Sequence, residues 1–263
     1  MAKNQSNKVG ESHYPSGKLI RFIEIDILRG FAIVLMITYH LLFDLWWFGV
    51  IGPLFETPFW LGWARVTAGL FLLLVGMSQW LWYQQNRDRF SSSALWQKNF
   101  QRAAKITGLA LLITSVTYVL FPGQTIWFGI LHLIGVTLVI TFPLLNKNRI
   151  RWWLTGFVFV TSLVVAQCQS SHWWLLPIGI RPTDFMSLDY FPLFPWWGVV
   201  LLGVSLAEKF YSYGHRQFKL PYSLPGRMSI SLQWLGKHSL VLYFIHQPIL
   251  FICLWLIVKS SWL

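Results

Sequence analysis

The chain of 263 residues is 55% hydrophobic and only 11% charged, with 17 Trp, a balance that excludes an ordinary soluble domain and fits a polytopic membrane protein. Its net charge of +12 does not indicate nucleic acid, because the basic residues stand in short loops between apolar runs and do not gather on one recognition surface. Cys168 and Cys253 are too few for a disulfide framework and lack metal-ligand spacing.

Residues 1–20 are polar and basic, without the apolar core of a secretory signal, and read as a flexible cytoplasmic tail. Residues 21–263 read as a single all-α transmembrane domain. Apolar runs near 26–48, 58–82, 103–121, 126–145, 152–168, 191–210 and 238–258 predict about seven membrane-spanning helices. Lys and Arg accumulate on one side of these spans, including Arg87 and Arg89 after the second, Lys147, Arg149 and Arg151 after the fourth, and Arg216, Arg227 and Lys237 after the sixth. The other side keeps only Arg181 and Lys259, which places the N-terminus in the cytoplasm and the C-terminus outside. Residues 169–190 form an outer segment too short and broken to span, suited to the interface or to a re-entrant turn.

The first span carries four ionisable groups, Asp26, Arg29, His40 and Asp44. At about 100° per residue they share one narrow stripe, which at 1.5 Å per residue runs roughly 27 Å, nearly the depth of the hydrocarbon core. Ionisable groups at that depth face a bundle interior or a wet cavity and mark function. His40 and Asp44 are four residues apart, so the carboxylate is expected to orient the imidazole as a general base, or the histidine transiently carries a group. The bland alternative is a hydrogen-bonded pair that locks two helices together.

Arg65 in the second span is expected level with Asp44, either paired with it or binding an acceptor substrate. His132 and His246 are single histidines in apolar helices, each read alone as a packing residue; together with His40 they have the depths to converge on one cavity. No metal is expected. At the cytoplasmic end Asp26 and Arg29 are spaced to pair. Arg29, Arg102 and Lys105 are candidates to hold a nucleotide phosphate, although positive-inside topology accounts for most of the basic residues there. Trp46, Trp47, Trp60, Trp63, Trp127, Trp173, Trp174, Trp196 and Trp197 read as an outer interfacial belt, some of them possible walls of a sugar site. Gly69, Gly76, Gly129, Gly135, Gly198 and Gly203 read as sites of close helix packing.

IEIDILRGFAIVLMITYH, FLLLVGMS, WFGILHLIGVTLVI, DYFPLFPWWGVVLLGVSL and LGKHSLVLYFIHQPIL, in that order over roughly residues 20–258, resemble the bacterial branch of the heparan-alpha-glucosaminide N-acetyltransferase catalytic-domain family. The most specific pieces are EIDxLRG, Glu24 to Gly30, and HQP, His246 to Pro248. The resemblance implies a transmembrane acyltransferase that takes an acetyl group from acetyl-CoA, or an acyl group from another acyl-CoA, on the cytoplasmic side and delivers it to a sugar or glycan on the other. It also implies that Asp26 and Arg29 belong to the donor end and that His246 matches a histidine of the family's C-terminal helix. The family's lysosomal member is given an active histidine beyond the outer end of the first helix, a stretch that here, Trp46 to Trp60, has none; at the position of His40 that member has an asparagine. His40 therefore rests on local chemistry.

The expectation is an integral membrane O- or N-acyltransferase with Asp26, Arg29, Arg102 and Lys105 at the acyl-CoA site and Arg65 at the acceptor. His40 removes the acceptor's proton, Asp44 holds the imidazole, and His246 and His132 stabilise the oxyanion. The alternative is a proton-coupled transporter or flippase that uses the same stripe as a relay. It is weakened by the lack of paired repeats.

Overall fold

The computed structural model describes residues 20–52, 57–212, 215–219 and 226–260. The N-terminal tail expected at 1–20 thus lies, but for residue 20, outside the described residues. All seven apolar runs are helical: α1 (Ile23–Trp47), α2 (Pro58–Asn86), α3 (Ser92–Leu120), α4 (Ile130–Thr141), α5 (Asn148–Val165), α6 (Leu193–Phe210) and, after a further helix α7 (Gly226–Lys237), α8 (Ser239–Ser260). Five of them, α1, α2, α3, α6 and α8, are long and apolar enough to cross a membrane, and the fold is that of an all-α polytopic membrane protein. α4 is shorter and continues into a 3-10 turn at Phe142–Leu144.

Local chemistry explains where the helices begin. Pro58 takes the first helical position of α2, where a missing N–H costs nothing. α3 starts eleven residues before its apolar run because the Ser91 hydroxyl accepts from Ala94 N at 3.3 Å, capping two polar turns that hydropathy does not register. α7 stands outside the apolar runs for a related reason. Its sequence, GRMSISLQWLGK, is too polar and too short to read as a span.

α2 packs on α6, α6 on α5 and α3 on α4, while α1 is flanked by α2, α7 and α8. Two crossings bring backbones into direct contact. A methyl on Gly76 would strike the Val200 carbonyl and one on Gly203 the Leu73 carbonyl, so α2 and α6 interlock through small residues, as their sequence predicted. The second crossing was unforeseen: Gly30 of α1 lies against Leu232 O, and Gly236 of α7 against Asp26 O, so the two helices run antiparallel with no room for a side chain.

Polar ties bind the other helices. Gln79 (α2) and Asn99 (α3), both fully buried, donate to Leu138 O of α4 at 2.7 and 2.8 Å. Arg151, 0% exposed, donates to Ser205 Oγ and Leu144 O and pairs with Glu208. Its sequence position suggested a free loop charge; it is instead the bracket between α5 and α6. The segment 169–190 folds back through a turn at Trp173–Leu175, a bridge between Gln169 and Arg181, and backbone bonds from Leu188 N to Gln124 O and Phe191 N to Phe128 O. It caps the α3–α4 connection.

Candidate functional site

The stripe on α1 has two ends with different surroundings. At the end where α1 begins, Glu24 receives two bonds from Arg216, at 2.7 and 2.6 Å, and one from the Tyr211 hydroxyl at 3.0 Å. Arg29 donates from Nη1 to Asp26 Oδ1 at 3.2 Å and to Gly236 O at 3.5 Å, and from Nη2 to Ser78 Oγ at 2.6 Å. EIDxLRG is thus largely a clasp. Its carboxylates and guanidinium tie α1 to α2, α7 and the segment after α6, and its glycine admits α7. One group there is left over: Arg102, over the Trp82 ring at 5.1 Å and close enough to Arg29 for the two cations to repel, keeps a buried Nη1 without a partner. Arg29 and Arg102 therefore lie together, whereas Lys105 is exposed on α3.

Towards the other end, α1 meets α8. The His40 and His246 rings stand edge to face with centroids 4.8 Å apart. His40 Nδ1 lies 2.9 Å from Met36 O, and His246 Nδ1 lies 2.7 Å from Tyr243 O and 3.2 Å from Leu242 O. A carbonyl only accepts, so in each neutral ring Nδ1 carries the hydrogen and Nε2 is a bare lone pair. Backbone carbonyls of their own helices fix both tautomers.

Asp44 therefore does not orient His40. Its Oδ1 accepts from Gln247 Nε2 at 2.8 Å, and its Oδ2 has no partner although the residue is only 1% exposed. His246 Nε2 and Gln247 Oε1 are likewise buried without partners. The result is two facing pairs across the α1–α8 seam, His40 with His246 and Asp44 with Gln247, whose members are four residues apart on α1 and adjacent on α8. Arg65 is exposed on α2 and forms no ion pair with Asp44.

His132 stands elsewhere, with both nitrogens engaged. Nδ1 accepts from Gly129 N and Nε2 meets Thr114 Oγ1, each at 3.2 Å, so the imidazole caps α4 and ties it to α3. Beside it Asp189, which heads the DYFP stretch, accepts from Ile130 N at 3.0 Å. Gly129 is needed for that contact, since a methyl there would run into the carboxylate. Burial pushes the Asp189 carboxyl up to about 6, against the favourable Ile130 N–H, and its charge is felt by Tyr39 and Tyr243 next to the two histidines. A cavity of about 330 Å³ opens nearby, lined by Trp127, Phe128, Trp173, Leu176 and Pro177.

Three members of this arrangement were not singled out by sequence reading. Gln247 sits inside the HQP signature, and Asp189 opens a quoted motif, so both carried a signal. Ser78 carried none, because a serine in an apolar helix is ordinarily bonded to its own carbonyl, as Ser78 also is to Leu74 O at 2.6 Å. Among the described residues no three His, Cys, Asp or Glu side chains gather as metal ligands.

No curated protein and no solved structure matches the chain. The family model described as heparan-alpha-glucosaminide N-acetyltransferase, catalytic, matches residues 21–248, from three residues before EIDxLRG to the proline that closes HQP, and the chain belongs to that family of membrane acyltransferases.

Proposed function

We propose that the protein transfers an acetyl or other acyl group from a CoA thioester, admitted at the Arg29 end of α1 on the cytoplasmic side, to an amine or hydroxyl of a sugar or glycan arriving from the opposite side. Family membership supports the reaction class. The observation that carries the residue assignment is the His40–His246 pair, in which both Nε2 atoms are held as bases. Arg29 and the unpartnered Nη1 of Arg102 suit the donor's phosphates. Asp26 holds Arg29 in place, and exposed Lys105 adds charge at the same mouth. The aromatic cavity by Trp127 and Trp173 offers flat faces to a sugar ring on the acceptor side.

In this reading the acceptor's nucleophilic O or N forms a bond to the thioester carbonyl carbon as its proton passes to a histidine Nε2. The resulting imidazolium offers its Nε2–H to the developing oxyanion, and the partner ring shares the charge. As the C–S bond breaks, the thiolate leaves with that proton, so the histidines end as they began. His132, with both nitrogens committed to the fold, is outside this step.

Purified protein with acetyl-CoA and a pool of glycan acceptors is expected to release free thiol and acetylated sugar, and His40→Ala or His246→Ala to lower the rate roughly 10²- to 10⁴-fold. Full activity in both single variants would remove the pair from the mechanism. Arg29→Ala and Arg102→Ala are expected to weaken acyl-CoA binding, and unchanged affinity would move the donor elsewhere.

A further inference from the structure

The cavity of about 330 Å³ beside the α3–α4 connection is walled by Trp127, Phe128, Trp173, Leu176 and Pro177, whose only polar side-chain atoms are two indole N–H groups. Its volume is at the small end for a ligand pocket. Trp127 and Trp173 are exposed, with ring centroids 5.8 Å apart, and form the rim, whereas Phe128 and Leu176 are buried and form the floor. The rim has faces for a sugar ring. The floor has almost nothing to bond the hydroxyls such a ring carries, and what fits there without loss is hydrocarbon.

A cation stands by the same wall. Arg181, four residues past Pro177, is exposed, and its charge acts on Tyr190, whose hydroxyl donates to Leu176 O at 2.7 Å. Among the described residues it forms no ion pair, not even with Asp184 three positions on. Arg181 and Lys259 are also the only Lys or Arg on this side of the spans, so its position is not explained by the charge bias that fills the opposite loops. An apolar cavity at a belt of interfacial tryptophans, with a guanidinium free for a phosphate, is complementary to an amphiphile.

We propose that this cavity binds a membrane lipid that bears a phosphate, with the hydrocarbon chain between Trp127, Phe128, Trp173 and Leu176 and the phosphate at Arg181. Resting on the acyl-transfer reading, the lipid is the carrier of the acceptor sugar. The wall leads towards the histidines: Ile130, two residues from Phe128, is bonded to Asp189, whose charge acts on Tyr39 and Tyr243, and these rings contact His40 and His246 respectively.

The first test needs no CoA. In nanodiscs, decyl phosphate with a diazirine at the far end of its chain is expected to label segments 127–128 and 173–177 above exposed α5 residues such as Phe157 and Val160. Excess decyl phosphate should displace it, and inorganic phosphate or decyl glucoside at the same concentration should not. Arg181→Gln, which removes a side chain the fold does not use, is expected to lower labelling there about tenfold and leave α5 labelling unchanged. Leu176→Phe, which fills the floor, should abolish it. Labelling spread evenly over the lipid-facing helices, or cavity labelling indifferent to Arg181→Gln, would overturn the site; should Leu176→Phe fail to fold, Arg181→Gln decides. With acetyl-CoA present, a sugar joined to decyl phosphate is expected to show a KM roughly tenfold below that of the free sugar, an advantage lost in Arg181→Gln. Equal KM values would overturn the carrier role, whereas cavity labelling without transfer to either sugar would support the lipid site and strike only the acyl-transfer reading.

Discussion

The two ends of α1 treat their ionisable groups in opposite ways. Where the helix begins, Glu24, Asp26 and Arg29 are almost fully bonded to one another, to Tyr211 and Arg216, to Ser78 and to Gly236 O. Where α1 meets α8, Asp44 and His246 are as deeply buried, yet each keeps a polar atom without a partner. The most recognisable motif in the chain, EIDxLRG, is thus mainly a device for assembling helices. The less conspicuous pairing of α1 with HQP has the unmet hydrogen-bonding capacity of a binding site. The bonded groups at the first end hold helices together, and the unpartnered ones at the second have hydrogen-bonding capacity left over.

Substitution separates these two kinds of site. The largest expected stability loss lies with the satisfied groups. Arg151→Met, which leaves Glu208 and the Leu144 and Leu145 carbonyls without their donor, should cost about 3 kcal/mol, the lower end for a broken buried pair because Glu208 is partly exposed. Chemical unfolding in detergent checks this, and a loss below about 1 kcal/mol would mean the bracket is not holding α5 to α6. Gly30→Ala or Gly236→Ala should follow, at roughly 1 to 3 kcal/mol, with greater proteolytic access to α7, because neither carbonyl opposite can move without shifting a helix.

The unsatisfied groups should behave in the reverse manner. His246→Ala is expected to abolish most transfer while costing less stability than Arg151→Met, because its Nε2 has no bond in the fold to lose and its Nδ1 bonds only to Leu242 O and Tyr243 O of its own helix. A large drop in stability with retained transfer would place His246 in the clasp category and erase the contrast between the two ends.

Asp189 offers the smallest and most graded effect. Burial raises its carboxyl from 3.8 to about 6, so between those values the folded chain holds a proton that the unfolded chain does not. Stability contributed by this group therefore rises as pH falls through 6 towards 4, by at most roughly 2 to 3 kcal/mol. Asp189→Asn should flatten that rise in a pH series of Tm. A profile of unchanged slope would show that the carboxyl is not the group responsible.

The positions of the apolar runs, the four-residue stripe on α1 and the family motifs are properties of one-dimensional order, which is why they were legible. Helical periodicity alone places Asp26, Arg29, His40 and Asp44 on one face. What periodicity does not specify is the partner opposite each group. His40 and Asp44 have the spacing of a bonded pair, yet the i−4 carbonyl of Met36 reached the imidazole first, and Gln247, 203 positions away in sequence, reached the carboxylate. Arg151 and Arg149 stand two apart in the same basic stretch, and only packing against α6 takes Arg151 out of solvent.

By itself, then, the sequence determined an all-α membrane protein, the face of α1 that carries its ionisable groups, and the family to which the chain belongs. The tertiary structure decided which of those polar groups are consumed by the fold and which remain open. Hydrogen bonds are made between elements distant in the chain, and a buried atom's lack of a partner becomes visible only when every neighbour has been placed. On that basis His132 and the EIDxLRG carboxylates have their hydrogen bonds within the fold, and we propose Asp44, His246 and Gln247, with His40 against His246, as the site.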